Sequence, residues 1–271
     1  MTRNKDKYRG MNALVTGASS GIGLEFSRQL AAKGINLLLV SNQPDELGKA
    51  RDEISNKYPD LIVLILCKDL TEDNAAEELL AFCERQRFNV DILINDAGIF
   101  AFKEICDMPK SSLDLFISLH VSAVTHLCHI FANEMLKRGG GYIQNMSSMS
   151  CWMPMPGIGM YAATKAYIRV LSRTMYLELK ECGVSVTVAC PGGIATDLFG
   201  LSKKLQRLAV RLGVLVTPEK FVKGALKAMF RRRKQYINGM LNRFSIFFVS
   251  IIPTRIRLIV KHKLLNKKFN G

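Results

Sequence analysis

The sequence predicts an α/β protein, a parallel sheet with helices packed on both faces, and two observations carry that expectation. Short apolar runs alternate with amphipathic helical stretches through most of the chain, the pattern of strand and crossover helix. The glycine-rich and polar clusters fall just after the apolar runs, at the carboxyl ends where sheets of this kind hold ligands. A chain of 271 residues, 48% hydrophobic and 23% charged, fits one domain with a full core.

The first run, residues 11–17 (MNALVTG), is short, apolar and closed by a turn, so it reads as a buried strand. GASSGIG follows, then LEFSRQLAAKG, a helical pattern with Leu24, Leu30 and Ala31 on one side and Gly34 as its stop. Gly17, Gly21 and Gly23, with Ser19, Ser20 and Ile22 between them, thus occupy a strand-to-helix turn. Bare backbone there can approach a pyrophosphate, and the helix N-terminus supplies partial positive charge. A second run starting at Ile35 ends near Val40 to Asn42. A carboxylate at that end suits the ribose of NAD, and an arginine suits the extra phosphate of NADP. The chain offers Ser41 and Asn42, and the missing carboxylate tilts the expectation towards NADP over NAD.

Residues 61–70 form a third strand closed by Asp69 and Leu70, and residues 71–87 an amphipathic helix. A fourth strand ends in Asn95, Asp96, Ala97 and Gly98. Residues 112–137 read as one long helix carrying His120, His126 and His129, with no further cluster to complete a zinc site, so no metal is expected. A fifth strand delivers Ser148, and a helix from Tyr161 ends at Gly183. The sixth strand breaks at Pro191 and Gly192. Beyond it, Leu201, Leu205, Leu208 and Leu212 mark an amphipathic segment, residues 198–215, that suits a substrate lid. A basic helix over 218–235 and a short strand at 235–239 complete the body, residues 1–240.

The stretch from Ser147 to Lys165 carries the chemistry. Tyr161 and Lys165 are four apart, hence one turn apart on a single helix face, and Ser148 lies upstream across a turn-rich loop. A free phenol, with a pKa of ~10, exchanges protons poorly at neutral pH, and a neighbouring ammonium favours its ionised form. The pair is therefore expected to act as a general acid/base near pH 7, with Ser148 bonding the oxygen of a carbonyl or alcohol.

The net charge of +15 is unevenly placed. Residues 198–271 hold eighteen Lys and Arg against Glu219, giving +17, and residues 1–197 sum to −2 from 20 basic and 22 acidic residues. In the basic, apolar extension of residues 241–271, the run from Phe244 to Ile252 has nine residues before Pro253, too few to span a bilayer. Arg243, Arg255, Arg257, Lys261 and Lys263 surround it, a pattern suited to lying on an anionic membrane surface. Nucleic acid is not expected, because the basic residues are interleaved with long aliphatic ones and no recognition motif is present. Seven scattered cysteines without a C-x-x-C pair suit reduced thiols. With no apolar signal segment in the first ten residues, the expected location is the cytoplasm, with peripheral contact at the inner membrane face.

TGASSGIG (Thr16 to Gly23), NDAG (Asn95 to Gly98), Ser148, Tyr161-x-x-x-Lys165 and PGGIAT (Pro191 to Thr196), in this order, resemble the short-chain dehydrogenase/reductase family over roughly residues 10–240. The resemblance implies a Rossmann-type three-layer sandwich with seven parallel strands, an NAD or NADP cofactor, and interconversion of a ketone and a secondary alcohol. It implies that Tyr161 is the acid/base, that Lys165 lowers its pKa and holds the nicotinamide ribose, and that Ser148 orients the substrate oxygen. Asn95, Ala97 and Gly98 would line the adenine-ribose side, Asp69 would face the adenine, and Pro191, Gly192 and Ile194 to Thr196 would meet the carboxamide. A homodimer or homotetramer through residues 112–137 and 161–181 is implied too.

Two positions depart from the family pattern. Asp96 stands where an asparagine is usual, and His120 where the family has the asparagine of a proton relay. An imidazole at that point is expected to steepen the pH dependence between 6 and 7. The methionine-rich loop Met149 to Met160 and the apolar tail point to a lipophilic small-molecule substrate, steroid-like or a long 3-oxoacyl chain. The alternative is a catalytically idle NADP-binding scaffold held on membranes by its basic tail.

Overall fold

The computed structural model describes residues 8–194 and 215–264. Seven strands, β1 (Asn12–Thr16), β2 (Asn36–Ser41), β3 (Val63–Cys67), β4 (Ile92–Asn95), β5 (Gly141–Met146), β6 (Val184–Ala189) and β7 (Gln235–Tyr236), form one sheet in the order β3-β2-β1-β4-β5-β6-β7. Every neighbouring pair is parallel. The Rossmann-type sheet implied by the motifs is what the chain adopts.

Successive residues of a strand point to opposite faces, and both faces are buried here. Ala13 and Val15 of β1, with Leu37 and Leu39 of β2, join a core completed by α1 (Gly21–Ala31), α2 (Pro44–Lys57) and a later helix, α7 (Pro218–Phe230). Leu14, Leu38, Val40 and Leu93 point the other way, into a core completed by α3 (Ala75–Arg85), α5 (Val124–Lys137) and α6 (Gly159–Leu179). This two-sided burial explains why the strands read as continuous apolar runs instead of alternating ones. α2, which follows β2 and starts on Pro44 in its first turn, has so low an apolar content that the sequence pattern passes over it; Leu47, Ala50 and Ile54 alone reach the core.

After β1 the chain moves outward through β2 to β3, then returns to place β4 on the other side of β1. The two turns leaving β1 and β4 therefore diverge around a crevice at their carboxyl ends. The helix read over 112–137 is longer and not uniform: α4 (Lys110–Ile117) runs through a π-helical segment, Ser118–Ala123, into α5. By length and composition this stretch could cross a membrane, yet Phe116, Leu127, Cys128, Phe131 and Met135 are buried within the protein.

The C-terminal segment is not a detached extension. Asn242, in α8 (Met240–Ser250), donates from Nδ2 to Asn238 O at 2.8 Å, and a Cβ on Gly192 would lie 2.5 Å from that same nitrogen. Lys261, in α9 (Thr254–Leu264), pairs with Glu104 at 2.9 Å. Beyond residue 240, where composition changes, the chain therefore keeps contacts to Asn238, Gly192 and Glu104. The lid expected over 198–215 lies, except for its last residue, outside the described residues.

Candidate active site

At the first end of the crevice, the turns after β1 and β4 are pressed together. Thr16 Oγ1 accepts from the amides of Asp96 and Ala97, each at 3.1 Å. Gly17 has φ +65°, and a Cβ there would come within 3.0 Å of the Ala97 backbone. A Cβ on Gly23 would sit 2.2 Å from the carbonyl oxygen of Gly17. These glycines are demanded by backbone meeting backbone. No side chain caps the N-terminus of α1, and Gly21 and Ile22 of that turn line the crevice, so uncapped helix N–H groups are available to an anion.

The crevice is a cleft of about 670 Å³. Ser19, Ser20, Ser41 and Asn42 border one end, Asp69, Leu70, Ala97 and Gly98 follow, and Ser148, Tyr161 and Lys165 border the other, with Pro191, Gly192 and Ile194 alongside. Ser19 and Ser41 join their hydroxyls at 2.9 Å. Gly17, Gly21 and Ile22 complete the predicted lining, while Gly23 stands behind Gly17 and serves the packing. Thr196 lies outside the described residues. The chain's own donors and glycine cradle suit a dinucleotide phosphate.

Asn95 is a correction. Expected on the adenine-ribose side, it is buried inside the sheet, where its Nδ2 donates to Asn145 Oδ1 at 2.8 Å and to Cys128 Sγ at 3.4 Å. It is the last residue of β4 and pairs in register with Asn145 of β5, so its side chain links strands and does not reach the cleft. The next residue does: Asp96 lines the cleft, and its carboxyl accepts from the Gly23 amide. Burial pushes this acid up to about 7, against the pull of Lys165 and of that hydrogen bond. The departure from the family's asparagine was its one sequence signal.

At the catalytic end, β5 delivers a 3-10 turn, Met149–Trp152, with Ser148 at its start. Ser148 Oγ accepts from the Ser150 amide at 3.1 Å and is hydrogen-bonded to the Tyr161 hydroxyl. Ser147 donates to Lys165 O at 2.7 Å, fixing α6 to the strand end. Lys165 Nζ donates to Met146 O at 2.9 Å and lies 5.7 Å from the centre of the Tyr161 ring. Tyr161 and Lys165 are both at most 6% exposed. Hydroxyl, phenol and amine from distant parts of the chain therefore meet at one wall.

Burial decides their proton affinities. It pushes the phenol up to about 12, although the bond to Ser148 opposes it. It draws Lys165 down to about 8, although Asp96 opposes that. Burial leads among the influences on the phenol, Ser148 opposes it, and the charges of Asp96 and Cys151 reinforce it; Lys165 is not among them.

His120 is corrected as well. It is fully buried in the π-helical segment, a local distortion common at functional sites. Its Nε2 accepts from the Ile99 amide at 3.0 Å, so Nδ1 carries the proton, 3.0 Å from Thr164 Oγ1. Burial, helped by Lys165, holds the imidazole down to about 2. Neutral across the working range and bonded at both nitrogens, it neither titrates between 6 and 7 nor offers a relay; it fixes the Ile99 turn against α6. Among the described residues no group of His, Cys, Asp or Glu could hold a metal.

A family model for the short chain dehydrogenase matches residues 11–206. The chain is 33% identical to D-beta-hydroxybutyrate dehydrogenase of Rhizobium meliloti over 187 residues, 69% of this chain and 72% of that protein. It is 28% identical to the very-long-chain 3-oxoacyl-CoA reductase of Anas platyrhynchos over 250 residues, 90% and 77% of the two. Among solved structures it is similar to a 7beta-hydroxysteroid dehydrogenase (TM-score 0.82, 25% identity, covering 92% of this chain and 95% of that one). It is also similar to L-sorbose reductase of Gluconobacter frateurii complexed with NADPH (TM-score 0.76, 25% identity, 86% and 97%).

Proposed function

The chain belongs to the short-chain dehydrogenase/reductase family and is an NAD(P)-dependent oxidoreductase acting on CH–OH groups, and from that premise we propose that it reduces a lipophilic ketone to a secondary alcohol with NADPH at the Ser148, Tyr161 and Lys165 wall. The observation that carries this reading is the convergence of the Ser148 hydroxyl, the Tyr161 phenol and the buried Lys165 amine on one wall of the cleft. A bound nicotinamide dinucleotide supplies the hydride that the carbonyl carbon takes up. Ser148 holds the carbonyl oxygen, and Tyr161 gives it the proton. Lys165, anchored on Met146 O, brings a cation to the ribose side. The preference for NADPH rests on Ser41 and Asn42 at the end of β2, where no carboxylate opposes a phosphate; two structural neighbours are complexes with NADPH.

Lipophilic substrates are supported by the surface around the cleft's rim. α8 packs against the Met149–Trp152 turn, and α8, α9 and the turn between them expose Phe244, Phe248, Ile251 and Ile256 beside Arg243 and Arg255. Such a face suits an anionic bilayer that both holds the protein and supplies its substrate. Steroid-like and long 3-oxoacyl chains are the substrate classes, in keeping with the relatives' names. Leu115, Ile117, Tyr167, Val170 and Leu177 are exposed on α4 and α6, and these helices form the face on which two copies pair.

The test is Tyr161→Phe. NADPH oxidation with a panel of hydrophobic ketones is expected to vanish while NADPH binding, followed by nucleotide fluorescence, persists. Binding without turnover in the unmutated protein across the panel would return the idle-scaffold alternative.

A further inference from the structure

Two cysteines from different segments meet behind the catalytic loop. Cys190 follows β6 and is fully buried, whereas Cys151 lies in the Met149–Trp152 turn and is partly exposed. The backbone enforces the meeting. β5 and β6 pair to their ends, the Ser147 amide donates to Ala189 O at 2.8 Å, and the Met149 amide donates to Pro191 O at 2.9 Å. The Cys151 amide then donates to Ser148 O at 3.2 Å, folding the turn back over the end of β6. In that position the two thiols are neighbours that act on each other electrostatically, with Ser147 beside both.

A cation completes the group. The Arg169 guanidinium stacks on Trp152 at 4.3 Å from the ring centre, its charge reaches both sulfurs, and its Nε is buried with no hydrogen-bond partner. The neighbouring Cys190, with help from Ser147 and Arg169, draws the Cys151 thiol below its ordinary value despite burial. Exposure separates the two roles: partly exposed Cys151 can meet a small hydroperoxide, and fully buried Cys190 stands behind it to resolve.

We propose that Cys151 and Cys190 are a peroxide-sensitive thiol pair that closes reversibly into a disulfide at the base of the catalytic loop. The Cys151 thiolate attacks one oxygen of a hydroperoxide, the O–O bond breaks, and hydroxide (or alkoxide) leaves and takes up a proton. The Cys151 sulfenic acid is then attacked by the Cys190 sulfur. The S–O bond breaks, the hydroxyl leaves as water with the Cys190 proton, and two electrons have passed from the thiols to the peroxide. The new bond ties the turn that starts at Ser148 to the segment entering Pro191 and Gly192, and all three of those residues line the cleft. Drawing the turns together alters the wall to which a nicotinamide must fit.

The experiment uses the full-length protein, hydrogen peroxide as oxidant and intact-mass and peptide mass spectrometry. The wild type is expected to lose about two mass units, reversed by dithiothreitol, with Cys151 and Cys190 in one linked peptide. Cys190→Ser should instead gain about sixteen mass units as a free Cys151 sulfenic acid, which dimedone then converts to a heavier thioether adduct on the same peptide, and Cys151→Ser should show neither change. Both variants are expected to keep the NADPH affinity of the reduced wild type, whereas the oxidised wild type should lose about fivefold by nucleotide fluorescence, a ~1 kcal/mol effect, and recover on reduction. Cys151→Ala, checked by circular dichroism, replaces any variant that fails to fold. The proposal is overturned if the mass stays unchanged, if the linkage recruits exposed Cys67, Cys106 or Cys182 instead, or if the oxidised protein binds NADPH as the reduced one does.

Discussion

The catalytic centre buries His120 and Lys165 beside the half-buried Asp96, whereas the C-terminal segment holds Phe244, Phe248 and Ile251 out in water. Both arrangements cost free energy in the isolated chain. At the centre desolvation moves the proton affinities of Tyr161 up and of Lys165 down. Titratable groups inside and apolar groups outside are thus two departures from ordinary burial.

The largest effect that sharpens this contrast is at the phenol. Tyr161→Phe removes the proton donor without emptying the cleft, and turnover is expected to fall about a thousandfold, with unfolding midpoints nearly unchanged. A residual rate within a factor of ten would remove Tyr161 from the proton transfer.

Next in size is an offset between two buried groups. Below pH 6.5 the unfolded chain binds a proton that folded His120 refuses until about pH 2. Its contribution is therefore complete above 6.5 and shrinks by about 1.4 kcal/mol per pH unit beneath it. Asp96 acts in the opposite sense: between 3.8 and about 7 its folded carboxyl keeps a proton that the unfolded chain has released, so its contribution falls as pH rises. From 3.8 to 6.5 the two slopes cancel. Asp96→Asn should expose the His120 slope in denaturant titrations at stepped pH, and adding His120→Asn should abolish it. An unaltered profile in Asp96→Asn would show that the carboxyl is not desolvated in solution.

At the helices, Phe244→Asp is expected to weaken binding to phosphatidylglycerol vesicles about tenfold, as losing most of one buried phenyl ring would. Turnover of a small water-soluble ketone should stay level. Equal flotation of variant and wild type would place the membrane face elsewhere. The smallest effect concerns the cofactor: an ionised Asp96 in the cleft repels a dinucleotide phosphate, so NADPH binding should weaken about fivefold from pH 6 to pH 8, a ~1 kcal/mol repulsion. Asp96→Asn should bind equally at both.

Much of the site was legible because spacing fixes it. The glycine turn must follow a strand and open a helix, and Tyr161 and Lys165 must share a helix face. The strand ends place Ser41, Asp69 and Ala97 around one cleft in any sheet of this order. Asn95 was misread because one residue decides between the inside of the sheet and the cleft. His120 was misread because a lone histidine does not disclose how many of its nitrogens the fold will occupy. Membership of the C-terminal helices in the body was hidden by composition, which records charge and apolarity but not the contacts of Asn242 and Lys261.

The order of apolar runs, turns and helical periods in this chain determined a doubly covered parallel sheet and the neighbours of its catalytic wall, because these follow from local periodicity and from chain connectivity. Tertiary structure alone decided the proton affinities of that wall, the neighbourhood of Cys151 and Cys190 and the contacts of the C-terminal helices. Desolvation and side-chain contact depend on every segment that closes over a group, and no local stretch of sequence contains them.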